Sequence, residues 1–433
     1  MRSLAIRTGP SHVGLREAVC FVVPAVMFAT YRLVGQLYLS EFILAALIPM
    51  LLLSEGWRLG DRQARKFLVL AAIWLCAQCA TDLVRHTSFQ DYARGWSKIG
   101  FTIVDFGALY MLLRSRRQIV IFAAGLVAGT VLMFFAAPNV YAAEEPWKFG
   151  LGPAVTVGIV LLAMAGKRLV WPPAALAGAA VLNIVMGFRS AGGICFLTAV
   201  FLWVQRYRSR QVRSGRGARP SQAIALFVVV CAAGWLMIRT YERAAESGVL
   251  GEAAEKKYEA QGSGRYGLLL GGRSETLISL EAISDSPVIG HGSWAKDPRY
   301  AAAYWQRAGL LGYHQGPGEE TDLIPTHSHL FGAWVESGLP GAVFWIWCFL
   351  LALRALLRLF AENDRLSPLI VFIAVSFMWD ILFSPYGGLA RLGAMFYVVT
   401  LMSFLACSEV RARYRDYLIR PVRLARMGLR GEP

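Results

Sequence analysis

Long apolar blocks alternate with short polar connections from residue 18 to residue 406. Each block approaches the length a helix needs to cross a hydrocarbon core of about 30 Å. In lipid every backbone polar group must find an internal partner, so such blocks are helices. The pattern predicts twelve spans, near 18–34, 41–54, 67–83, 99–113, 118–136, 149–165, 169–187, 190–204, 222–239, 338–358, 367–384 and 389–406. The second and fourth are short for a full crossing. The first contains Pro24, Tyr31 and Arg32 and has no small-x-small cleavage site, so it reads as a span and not as a removed signal peptide. The fold class expected is all-α: a polytopic integral membrane protein with about twelve transmembrane helices.

Composition agrees with this pattern. Of 433 residues 56% are hydrophobic and only 17% charged, with a mean hydropathy of +0.47. The net charge of +16 would point to nucleic acid in a soluble chain. Here five connections carry most of it: "WRLGDRQARK", "RSRRQ", "GKR", "QRYRSRQVRSGRGARP" and "LRALLRLFAENDR". All follow even-numbered spans, and the basic tail from Arg411 to Arg430 falls on the same side. By the positive-inside rule that side is the cytoplasm, with both termini.

The opposite side holds one long loop, about Thr240 to Pro325, with 8 Lys/Arg against 12 Asp/Glu. Loops above about 12–15 residues are usually functional or disordered. This one has apolar and aromatic residues throughout, and "EAAEKKYEAQ" reads as an exposed helix, so a small, partly helical subdomain is expected. The organisation is therefore residues 1–239 (spans one to nine), 240–337 (loop subdomain), 338–408 (spans ten to twelve) and 409–433 (basic tail). All seven cysteines lie in apolar segments, and Cys76 and Cys79 read as packing residues within a span.

Polar residues with chemical capacity gather around "LIPTHSHLFGAWVESGLPGAVFW". Pro325 ends what precedes it, and Thr326 is the expected helix N-cap. His327 would then lie in the first turn, where backbone N–H groups favour anions and a neutral imidazole. His329 and Glu336 are seven apart and share a face, and "SGLPG" breaks the helix before the next span. Interfacial histidines solvated at a loop end are the plain alternative. On the outer side lie Arg189 in "GFRSAGG", Arg265 in "GSGRYG" and Arg273 in "GGRSE". Arginine forks match phosphate bidentately, so these three could grip a lipid-linked diphosphate, or could instead reach lipid headgroups or acidic loop residues. Asp82, Asp105 and Asp380 lie within or at the ends of spans, where carboxylates are functional candidates. Asp380 and Arg391 are expected to pair across the turn "SPYGG". There is no H-E-x-x-H, Walker loop, G-x-S-x-G or paired D-x-D, so no motif points to a metal, ATP or a nucleotide-sugar donor.

These residues resemble the bacterial O-antigen ligase/polymerase superfamily of membrane glycosyltransferases. "HSHLFGAWVESGLPG" is similar to its signature histidine, glutamate and two glycines: His327, Glu336 nine residues on, then Gly338 and Gly341. "GGRSETLISLEAISDSPVIGHG" looks like its Gly-Arg segment running to Pro-x-x-Gly-x-Gly, which points to Arg273, Pro287, Gly290 and Gly292. The family's asparagine is Ser328 here, followed by a second histidine, so either His327 or His329 could hold the signature position; spacing favours His327.

The resemblance implies inverting, metal-independent glycosyl transfer from undecaprenyl diphosphate to an acceptor sugar hydroxyl, at the periplasmic face of the bacterial inner membrane and without a cofactor. It implies Arg189, Arg265 and Arg273 on the diphosphate and His327 on the acceptor, with His329 the other candidate. Glu336 would orient a histidine or an arginine. The acceptor would be lipid A–core for a ligase, or the next lipid-linked repeat unit for an O-antigen or exopolysaccharide polymerase. From a different class, a transporter or flippase of lipid-linked glycans would place its charges along a central path instead of in one outer loop.

Overall fold

The computed structural model describes residues 14–138, 140–165, 171–213, 274–310, 322–362 and 364–426, with isolated positions between 234 and 258. Their regular secondary structure is helical apart from one small antiparallel hairpin and a single bridge between Lys296 and Leu323. In chain order, α1 (Leu15–Ala25) leads into the hairpin β1 (Thr30–Arg32) and β2 (Gln36–Tyr38). Then follow α2 (Leu39–Glu55), α3 (Arg62–Val84), α4 (Phe89–Leu112), α5 (Arg116–Ala136), the short α6 (Val140–Glu144), α7 (Gly152–Ala165), α8 (Trp171–Val185) and α9 (Arg189–Arg213). The loop subdomain supplies α10 (Ser274–Asp285), α11 (Pro298–Leu310) and α12 (His329–Ser337). The chain closes with α13 (Leu339–Ala361), α14 (Ser367–Phe383) and α15 (Gly388–Arg426).

Six described helical stretches are long and apolar enough to cross a membrane: Leu39–Gly60, Arg62–Val84, Arg116–Ala136, Trp147–Ala165, Leu339–Phe360 and Ala390–Ser408. Trp171–Val185 and Ser367–Phe383 are apolar but shorter. The remaining expected spans differ for physical reasons. The first, 18–34, stops at Ala25 behind Pro24, and Tyr31 and Arg32 lie in the hairpin. α4 and α9 have the length, with 24 and 25 residues, but carry several charges. The expected span 222–239 and the helix "EAAEKKYEAQ" lie outside the described residues, save isolated positions.

Aromatic side chains fill the centre of the bundle. Phe67 stacks on Phe106 with ring centroids 3.7 Å apart, and Trp74 stacks on Phe344 at 4.9 Å. α13 is the central element, packing against α3, α12, α14 and α15. Close approach of α5 to α1 uses small residues: a Cβ on Gly125 would fall 2.4 Å from the Phe21 carbonyl oxygen. Between α10, α11 and α12 a second, small core forms from Ile278, Ala282, Ile283, Ala295, Tyr300, Ile324 and Val335.

The basic connections meet at one end of the bundle. Arg16 and Arg114 flank Glu55 at 3.4 and 2.9 Å. Arg116 grips Asp364 with two bonds of 3.0 and 2.7 Å. Gln205 donates to the carbonyls of Leu359 and Glu362. Four connections far apart in sequence thus gather at one end of the bundle. The loop subdomain, the α3–α4 turn and the α14–α15 turn occupy the other end.

Candidate functional site

The site is built where α12 begins. Its N-cap is Ser328, in extended backbone, and not the expected Thr326. The Ser328 hydroxyl accepts from the Phe331 N–H at 3.0 Å and donates to the Ile381 carbonyl at 2.7 Å. One small side chain therefore starts the helix and ties it to α14. His327 consequently lies just outside the helix, exposed, and His329 is the first helical residue.

His329 is only 2% exposed. Its Nδ1 lies 2.6 Å from the Ser384 carbonyl, an acceptor only, which assigns the proton to Nδ1 and leaves Nε2 with its lone pair. Burial pulls its pKa from 6.5 down to about 4; the Ser384 carbonyl opposes this and the Lys98 charge adds to it. The ring is neutral at physiological pH and packs on Trp345 and Tyr386 at centroid distances of 4.8 and 4.9 Å.

At the other end of α12, Gly338 has φ +68, and a Cβ there would sit 1.9 Å from the Val288 carbonyl oxygen. The reason is an interlock between α12 and the Pro287–Ser293 turn. His291 N–H donates to Val335, Gly292 N–H to the Glu336 carbonyl, and Leu339 N–H back to Val288. Gly290, with φ +85, leaves no room either: a Cβ would lie 2.6 Å from the Gly338 nitrogen. The turn is fixed from below by α3. Thr81 donates to the Ile289 carbonyl at 2.6 Å and Arg85 to that of Gly290 at 2.9 Å. Asp82 accepts from the Ser293 N–H, the Ser293 hydroxyl and the Trp96 indole at 2.6, 2.7 and 2.8 Å. This carboxylate, one of the expected functional candidates, clamps the turn onto α3 and α4.

Between these elements lies a cavity of about 590 Å³. His327, His329, Glu336, Lys98, Trp294 and Tyr386 all line it. Tyr141, Tyr304 and Trp305 add aromatic surface from α6 and α11. The sequence thus singled out three residues that the fold brings to one cavity. Their relations differ from expectation. Among the described residues Glu336 meets neither a histidine nor an arginine; it forms an ion pair with Lys98 of α4. His329 turns to Ser384 instead. Arg189 opens α9, half-buried, and is not among the residues lining the cavity. Arg265 and Arg273 lie outside the described residues.

The expected Asp380–Arg391 pair is not formed. Arg391 makes a bidentate bond to Glu41, at 2.6 and 2.9 Å, while Asp380 accepts from the Ser384 hydroxyl at 2.8 Å. Asp105 is fully buried, and neither of its oxygens has a hydrogen-bond partner among the described residues.

Lys98 escaped the sequence reading. Its signal is the spacing Lys98–Thr102–Asp105, which puts three polar groups on one face of a helix. All three are buried, and Thr102 Oγ1 lies 2.6 Å from the Tyr386 hydroxyl. Compared with known families and with curated proteins, the chain matches no family model and no curated sequence.

Proposed function

We propose that this cavity is the active site of a membrane glycosyltransferase that moves a glycan from a lipid diphosphate, of the undecaprenyl type, to an acceptor sugar hydroxyl. One observation carries the reading. The two segments that resemble the O-antigen ligase/polymerase signature, about forty residues apart, interlock backbone to backbone and border one cavity. That cavity lies at the end of the bundle opposite the basic connections, which corresponds to the periplasmic side of the inner membrane. His327, exposed in its wall, faces the acceptor; His329, neutral and buried, positions groups around it. The donor's diphosphate is a dianion and gains a further negative charge as it leaves, so preorganised cations are the chief catalytic need. Lys98 supplies one within the cavity; Arg265 and Arg273, the other cations of this reading, lie outside the described residues, and Arg189 is its weakest member because it does not line the cavity.

The test is transfer by the purified protein in lipid nanodiscs, from an undecaprenyl-diphosphate glycan to lipid A–core or to a second lipid-linked unit. Product without ATP or an ion gradient is expected, and the acceptor that reacts separates ligase from polymerase. Movement of intact donor across the bilayer without a new glycosidic bond would favour a flippase instead.

A further inference from the structure

Lys98 and Glu336 form an ion pair across 238 residues of sequence. Their side chains are 9% and 14% exposed, and both form part of the cavity wall. Lys98 lies 5.8 Å over the Trp294 ring, which itself sits at φ +53, a left-handed backbone that a bulky side chain seldom adopts. Strained backbone of this kind gathers at ligand sites. Among the described residues, the Glu336 carboxylate pairs with Lys98.

We propose that Lys98 and Glu336 form a donor-sensing pair: an incoming diphosphate takes Lys98 from Glu336, and the carboxylate so released serves as the base for the acceptor hydroxyl. This rests on the glycosyl-transfer reading above. An ammonium held by one carboxylate is a point charge with two donors to spare, and a dianion competes for it effectively. In the resting state the ion pair occupies both groups, so Glu336 is unavailable until donor is present. With donor bound, the acceptor hydroxyl gives its proton to Glu336 and its oxygen bonds the anomeric carbon. The bond from that carbon to the diphosphate oxygen breaks, and its electron pair leaves with the lipid diphosphate, beside the Lys98 ammonium. The arrangement restricts the free base to the donor-loaded enzyme.

The experiment is a double-mutant cycle on the full-length protein in nanodiscs, with inorganic pyrophosphate as the probe and tryptophan fluorescence as the readout. Glu336→Gln should tighten pyrophosphate binding by about tenfold and Lys98→Gln weaken it by about tenfold, the scale of one charge-assisted hydrogen bond. The tightening should shrink to about twofold or less in the Lys98→Gln background, because the gain from Glu336→Gln runs through Lys98. Equal effects of Glu336→Gln in both backgrounds, or no effect of Lys98→Gln, would overturn the pair. If Glu336→Gln fails to fold, Glu336→Asp loosens the contact while keeping the charge and should tighten binding in the same direction. Turnover adds a second readout: Glu336→Gln should lose kcat while KM for donor falls. A kcat unchanged in Glu336→Gln overturns the base role. Absence of any glycosyl transfer by the wild type would instead count against the proposed function and leave the binding cycle to be judged by itself.

Discussion

The two ends of the helical bundle use charge in different ways. At the basic end, side chains such as Arg114 and Arg116 are 47% and 48% exposed while their carboxylate partners are almost fully buried. Arg358 and Gln205 tie chain ends together through the Ser408 and Leu359 carbonyls there. At the cavity end, the cation is the buried one. Lys98 has 9% of its side chain exposed, its partner 14%, and both border open space. The first arrangement is what orientation in a bilayer asks for: half-solvated cations that never leave water. The second holds desolvated charge beside a void, which costs stability and is retained where a ligand uses it.

Substitutions can break this comparison. The largest effect belongs to Gly338→Ala, which forces a Cβ into the Val288 carbonyl and strains a backbone at φ +68. It should cost more than about 3 kcal/mol and leave little folded protein on detergent size exclusion. Lys98→Met strands Glu336 without its partner and should cost about 3 kcal/mol, the lower part of the range for breaking a buried pair, read as a fall in melting temperature. A drop as small as that of a surface pair would remove the distinction between the ends.

pH gives an independent probe of the cavity end. His329 has a folded pKa of about 4 against 6.5 when unfolded, so the unfolded chain binds the extra proton between these values. Its contribution is fully present above pH 6.5 and is lost as pH falls toward 4, by up to about 3 kcal/mol at full linkage. The melting temperature of the wild type should therefore decline between those pH values more steeply than that of His329→Phe. Equal slopes would place the ring in water. Ser328→Ala removes a cap and a tie to α14 and should cost about 1–2 kcal/mol. Arg116→Ala, at the basic end, should cost about 1 kcal/mol or less in spite of its two short bonds, because the guanidinium is half exposed.

Much of this contrast is readable in the chain. Apolar blocks mark the helices, six of them long enough to cross a membrane among the described residues, and Arg114, Arg116 and Gln205 lie in the basic connections between such blocks. The glycines at 290 and 338 announce a tight contact, since only a missing Cβ admits it. His327, His329 and Glu336 stand within ten residues, so one helix start delivers them to one cavity. What stays hidden is the identity of long-range partners. Glu41 and Arg391 are 350 residues apart, and Arg391 has a nearer acid in Asp380 that it does not use. Ser328 outcompetes Thr326 as cap because its hydroxyl also finds the Ile381 carbonyl, a contact made by another helix. Lys98 looks like one more basic residue near a span edge until Glu336 is placed against it.

The most direct test of the cavity as the seat of the reaction is the initial rate of glycan transfer from an undecaprenyl-diphosphate donor by His327→Ala, in nanodiscs, at wild-type melting temperature. His327 is exposed at the cavity wall and outside the helix, so the melting temperature of the variant is measured beside its rate to separate loss of chemistry from loss of fold. The account predicts a fall of about a hundredfold or more, the scale of a lost acid–base or orienting group; a rate within twofold of wild type would contradict it.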